Sequence, residues 1–292
     1  MVQTVLGKKP ADELGLTLAH EHICCYFEYF RQMLGDRYLD MALLEKKAVG
    51  HLKEMKAVYG LSTFVDCTPV NIGRDISLLK RVSAASGVNI IASTGFYYTD
   101  EEMLRGLSSE NILRRIIEDV EVNPIGLIKF AAEWEELSPL NEKLLDILCE
   151  AQKTLALPFC IHTNAQNRNA LKVLEFVLKR GICPEALTIA HCSDTRDLAF
   201  LEEILRTGCY IGFDRIYPVE NDDYPAEKAA DLYALAEKGW SDRILLSHDC
   251  QTFNGFIDEA HIRTTQPYSY LFRRLVPAME KPDSPGRISA GC

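Results

Sequence analysis

Eight short apolar runs, most of them followed by a longer stretch of helical periodicity, constrain this chain more than any other feature. The runs are Thr17–His22, Thr63–Thr68, Asn89–Tyr97, Gly126–Ala131, Pro158–Thr163, Leu187–Cys192, Cys209–Asp214 and Ile244–Asp249. LLEKKAVGHLKEMKAVYG after the first and NEKLLDILCEAQKTLA after the fourth are the clearest helical patterns. Strands that are apolar throughout are covered on both faces, and intervening helices supply that cover, so the sheet is parallel. Eight such units within about 250 residues predict a closed (β/α)₈ TIM barrel, with an open doubly wound sheet as the competing architecture. Helix starts are marked too: Asp75 is placed to cap ISLLKRV, and Ser138 precedes Pro139 at a first helical position. No linker or low-complexity insert divides the chain, so residues 1–280 are expected to form one domain. The acidic, turn-rich Tyr217–Pro225 reads as a long loop on the face where the strands end.

The formal charge of −10 argues against a nucleic-acid binder, which needs a basic face to displace counterions from phosphates. No run approaches the ~20 apolar residues of a membrane-spanning helix, and the N-terminus lacks the apolar core of a signal peptide. There are ten cysteines, but Cys67, Cys160, Cys192, Cys209 and Cys250 lie in or beside apolar runs, where a free thiol behaves as a small hydrophobe. Reduced thiols and a cytoplasmic location are therefore expected. No CxxC pair suggests a structural zinc knuckle.

Several apolar runs carry metal-competent side chains at or near their ends: His20 and His22, Lys129, His162, His191 and Asp249. In a barrel all strands open at their C-terminal ends onto one face, where catalytic groups gather. His20 and His22 are two residues apart on a strand and so point the same way. A lone histidine at a strand end is ordinarily a hydrogen-bonded loop residue; His51, on a predicted helix, and His261, in a loop, are given no role. Lys129 inside GLIKFA would ordinarily ion-pair, with Asp249 the nearest thought, because a buried amine is costly unless paired or chemically altered. Taken as a set, these residues predict a metal site.

The ordered series TLAHEH (17–22), GRD (73–75), STGFYY (93–98), GLIKFA (126–131), CIHTNA (160–165), IAHCSDT (189–195), IGFDR (211–215) and RILLSHD (243–249) resembles the phosphotriesterase-like branch of the amidohydrolase superfamily. That branch includes phosphotriesterases and lactonases, and the resemblance runs to about Met279. It implies two divalent ions, Zn²⁺ first with Mn²⁺, Co²⁺ or Fe²⁺ as alternatives. It further implies that CO₂ carbamylates Lys129 into an anionic bridging ligand. His20, His22 and Asp249 would hold the more buried ion, and His162 and His191 the more exposed one. A hydroxide bridging the ions would attack a lactone or ester carbonyl, with phosphotriester hydrolysis beside it, and Asp249 would take the proton.

Tyr97 and Arg215 align with a Tyr and an Arg typical of lactonase-like members. Tyr97 would then reach the hydroxide or the substrate carbonyl, and Arg215 would support the substrate-facing loop. The plainer alternative makes Tyr97 wall packing and pairs Arg215 with Asp214 or another local carboxylate. The loop Gln251–Thr264 is expected to shape the pocket. Other readings are an amide or phosphotriester hydrolase on the same site, or a barrel that binds metal or ligand without turnover. A small-molecule substrate and a homodimer, as in many relatives, complete the expectation. After VPAM (276–279) the relatives' further helix is replaced by a polar, Pro/Gly/Ser-rich tail over 281–292, expected to be disordered.

Overall fold

A computed structural model describes residues 1–99 and 102–280. Nine parallel strand segments form its centre: β1 (Thr17–Cys25), β2 (Thr63–Asp66), β3 (Asn89–Phe96), β4 (Ile125–Ala132), β5 (Phe159–Thr163), β6 (Leu187–Ala190), β7 (Tyr210–Phe213), β8 (Ile244–Leu246) and β9 (Gln251–Asn254). Each pairs with the next from β1 to β8, as consecutive right-handed βαβ units require. Closure comes from a break. After β8 the chain leaves the ladder at Ser247, then rejoins it as β9, which pairs with β1 so that Gln251 lies opposite His22. Across the gap Asp249 N donates to His20 O at 3.1 Å, and His22 N donates to Cys250 O at 3.0 Å. One interrupted eighth strand therefore joins β7 to β1, and the fold is the (β/α)₈ barrel that the periodicity predicts.

The gap is held from within by Glu21, a fully buried carboxylate on β1. It accepts from Ser247 Oγ at 2.7 Å, His248 N at 2.8 Å, His248 Nδ1 at 2.6 Å and Cys250 N at 3.0 Å. Here the sequence reading needs correcting: Gln251–Thr264 is not loop throughout, because Gln251–Asn254 still finds backbone partners on β1. The eighth run is correspondingly short, regular only over Ile244–Leu246.

Helices Met41–Tyr59, Ile76–Ser86, Ser109–Val122, Pro139–Leu155, Ala170–Lys179, Leu198–Leu205 and Tyr224–Glu237 cover the outside. Asp75 Oδ1 accepts from Leu78 N at 2.8 Å, and Ser138 Oγ accepts from Asn141 N at 3.1 Å, so both expected caps form. At the other end of the barrel an antiparallel hairpin, Val2–Thr4 with Gly7–Lys9, lies under the sheet. Val2 and Leu14 pack there against Cys67, Ile91, Leu127, Cys160 and Ala190. The nine described cysteines are free, and all but Cys183 are buried. No helix of the described residues is long and apolar enough to cross a membrane. The expectation for the tail at 281–292 lies outside the described residues.

One glycine is dictated by close approach. Gly95 on β3 has φ +114°, and a Cβ there would lie 1.9 Å from the carbonyl oxygen of Lys129, its register partner on β4. Gly95→Ala must therefore push β3 from β4 or distort Lys129. We expect about 2–4 kcal/mol of destabilisation in chemical denaturation, from overpacking together with the positive φ. An unchanged midpoint would show that this contact relaxes freely.

Candidate metal centre

The barrel mouth gathers all six residues that the sequence singled out. His20, His22, Lys129, His162, His191 and Asp249 line one cavity of about 140 Å³, with Tyr97, Ile72, Gln251 and Phe256 on its walls. His20 and His22 come from β1, Lys129 from β4 and His162 from β5. His191 and Asp249 lie just beyond β6 and β8, each in the left-handed region, with φ of 64° and 54°. Non-glycine residues rarely adopt that conformation, and here it turns both side chains inward at the two strand ends.

The four imidazoles share one arrangement: one ring nitrogen is held from behind and the other is free to face the cavity. His20 Nδ1 meets Asp214 Oδ2 at 2.6 Å, and His191 Nδ1 meets Asp214 Oδ1 at 3.1 Å. His22 Nδ1 meets Thr68 Oγ1 at 2.8 Å, and His162 Nε2 meets Glu133 Oε2 at 2.7 Å. With those nitrogens carrying the proton, His20 Nε2, His22 Nε2, His162 Nδ1 and His191 Nε2 present lone pairs. Such outer hydrogen bonds orient metal-ligating histidines. The inner nitrogens converge: His191 Nε2 is 2.8 Å from His162 Nδ1, and His22 Nε2 is 3.1 Å from Asp249 Oδ1. Nitrogens in this tautomer repel one another unless a cation is placed among them. The donor set thus fits divalent ions of the imidazole- and carboxylate-binding kind. Burial brings His162 down to about 4 and His191 well below the usual imidazole range, so both rings are neutral as ligation requires. Burial opposes charge on both partners of the His22–Asp249 contact, but Cys25 and Asp249 raise His22 well above the usual imidazole range. His191, His22 and His20 hold the Asp249 carboxyl well below its own, a charge pairing that a bound cation would take over.

Lys129 is 1% exposed, and its Nζ lies 2.9 Å from His20 Nε2 and 3.6 Å from Cys160 Sγ. No carboxylate among the described residues is within ion-pair distance of it, so the ordinary expectation of a Lys129–Asp249 pair is not met. Asp249 pairs instead with Arg215, whose Nε is 3.2 Å from Oδ2. Arg215 Nη1 reaches Asp194 Oδ2 at 2.6 Å. The alternative of pairing Arg215 with Asp214 or another local carboxylate is met by Asp194, while Asp214 turns inward to the two histidines. The Tyr97 ring stands edge-on to His162 with centroids 5.6 Å apart.

Asp214, Glu133, Thr68 and Asp194 were not picked out from sequence as parts of the site. Asp214 and Thr68 had a visible signal, each closing an apolar run (CYIGFD and TFVDCT); Glu133 follows β4 and Asp194 ends the 3-10 turn Cys192–Asp194, with none. Cys67, Cys160, Cys192, Cys209 and Cys250 are free and buried, as expected of small hydrophobes; the Cys160 sulfur also faces the Lys129 amine and forms a close cluster with Cys67 and His20.

The sequence profile described as the phosphotriesterase family matches residues 1–283. The chain belongs to the phosphotriesterase family. It is 28% identical over 298 residues to the phosphotriesterase homology protein of Mycobacterium tuberculosis, an alignment covering 96% of this chain and 91% of that protein. An aryldialkylphosphatase of Saccharolobus solfataricus is 30% identical over 246 residues, covering 81% of this chain and 77% of the other. The N-acetyltaurine hydrolase of Danio rerio is 27% identical over 325 residues, covering 95% and 91%. Membership makes the protein a metal-dependent hydrolase of a binuclear family. The outer hydrogen bonds give a direct expectation. Asp214→Asn should weaken metal retention about 10–100-fold, measured by competition with a chelator, because one carboxylate orients two imidazoles. Retention equal to the unaltered protein would reduce Asp214 to a packing residue.

Proposed function

We propose that this enzyme opens lactones or cleaves carboxylic esters with two divalent ions, Zn²⁺ foremost. His20, His22 and Asp249 would hold one ion, His162 and His191 would hold the other, and Lys129, as a carbamate, would supply a further anionic ligand. The observation that carries the reading is the convergence of four back-anchored imidazoles on the cavity that also takes Lys129 and Asp249. Bound ions there supply Lewis acidity and lower the pKa of water towards about 7.

The chain's own residues do the rest. Asp249 accepts the proton of the attacking water on its carboxylate, which stays ionised despite its burial. Arg215 cannot carry protons; fixed between Asp249 and Asp194, it holds the Asp249 carboxylate in place. The Tyr97 phenol has no hydrogen-bond partner among the described residues, and burial keeps it protonated. It is therefore available to donate to a substrate carbonyl. Ile72 and Phe256 exclude water at the cavity wall.

Amide cleavage is the second reading, favoured by the long alignments with relatives named N-acetyltaurine hydrolase. The test is metal-loaded protein against lactones, carboxylic esters, N-acetyltaurine and a dialkyl aryl phosphate. Lactone or ester kcat/KM should exceed the others at least tenfold. A dominant N-acetyltaurine rate would replace this reading with the second, and two bound ions without turnover on any member would make the chain a binding barrel.

A further inference from the structure

A second cavity, of about 280 Å³, lies between the loop after β7 and the segment after β9. Its walls include Cys250 and Pro218 but none of the residues around the metal cavity. Asp249 and Gln251 face the metals' cavity while Cys250 between them faces this one, so a single stretch of backbone divides the two.

The lining is basic and acid-free. Arg263, Arg273 and Arg274 border it, and no Asp or Glu does. Several arginines elsewhere find carboxylates: Arg74 with Asp119, Arg81 with Glu45, Arg196 with Asp231, Arg206 with Glu202. These three have no ion-pair or side-chain hydrogen-bond partner among the described residues, in a chain of net charge −10. Ser269, only 4% exposed, also lines the cavity, and its hydroxyl is unpartnered among the described residues. Like charges gathered round a concavity repel one another, and an anion among them relieves that repulsion. Guanidinium forks match phosphoryl oxygens two at a time, and the serine hydroxyl adds a neutral donor. Pro267 and Tyr270 give the same cavity an apolar side.

We propose that this cavity binds a small phosphate monoester, its phosphoryl group on Arg263, Arg273, Arg274 and Ser269 and its organic part against Pro267 and Tyr270. The proposal is independent of what the metal centre hydrolyses. The test is calorimetric titration of the metal-loaded full chain with phenyl phosphate, with benzoate as the carboxylate counterpart. Saturable binding of phenyl phosphate should weaken at least tenfold in Arg273→Gln/Arg274→Gln, with metal content and turnover unchanged, and return in part in Arg273→Lys/Arg274→Lys. Lys129→Ala, altered only at the metal site, should bind phenyl phosphate as the unaltered chain does. Equal binding in the Gln double variant, or binding lost in Lys129→Ala, would overturn the proposal, the latter by assigning the anion to the metals. Benzoate binding as tight as phenyl phosphate would also overturn it, leaving a generic anion sink.

Discussion

Lys129→Met is expected to leave a folded barrel that has lost its metal pair and about 10³-fold or more of its kcat/KM. The side chain is 1% exposed and has no carboxylate partner among the described residues, so the neighbour in contact that can offset an unmodified ammonium is the Cys160 sulfur at 3.6 Å. Methionine is close to lysine in volume and removes that burden, so stability should be kept or raised. What methionine could not supply is the anionic oxygen that the proposed carbamate would place between the two sets of histidines. Lys129→Glu restores such an oxygen and should recover part of both metal content and rate. A carbamate makes one further demand: reloading stripped protein with metal should be faster with bicarbonate, and Lys129→Glu should be indifferent to it. Metal content and turnover in Lys129→Met equal to those of the unaltered enzyme would end this account of the site.

Asp249→Asn should be the next most damaging change, lowering kcat about 10²–10⁴-fold while shifting KM far less. The amide keeps the shape and one weak ligand oxygen, but it cannot accept the proton of the attacking water. The sign of the pH dependence follows. His191, His22 and His20 hold the carboxyl well below its usual range, so activity that depends on its ionised form persists into acid and falls only as pH drops through that lowered value. The asparagine variant should lack this limb in kcat. Arg215→Lys provides the contrast: it keeps a charge beside Asp249 but loses the fork to Asp194, so kcat should fall less than in Asp249→Asn. If Asp249→Asn keeps full kcat with full metal content, the proton must go elsewhere.

Most of this candidate centre was readable in the residues because its candidate ligands interrupt apolar strands, where a polar side chain has few structural excuses. The alternation of a strand sends His20 and His22 to the same side, and the barrel topology brings β1, β4 and β5 to one mouth. What supports the ligands was harder to read. Thr68 and Glu133 stand just beyond the ends of β2 and β4, and only the folded distances of 2.8 Å and 2.7 Å to His22 and His162 give them a task. Asp214 was visible as a residue only as one possible partner of Arg215; the carboxylates that Arg215 pairs with are Asp194 and Asp249. The interruption of the eighth strand left no periodic signature either, because it depends on Glu21, more than two hundred positions away, to satisfy the freed backbone.

That interruption ties the architecture of the barrel to its chemistry. The backbone bonds that stitch the first strand to the eighth run from Asp249 N to His20 O and from His22 N to Cys250 O. Three of those four residues are also ligand candidates, so the seam of the cylinder and the candidate metal centre are made of the same few residues. Slow amide exchange at His22 and Asp249 should therefore track metal loading more steeply than exchange at β4–β5, on the far side of the barrel. An enzyme built this way reports the state of its active site through how tightly its wall is fastened.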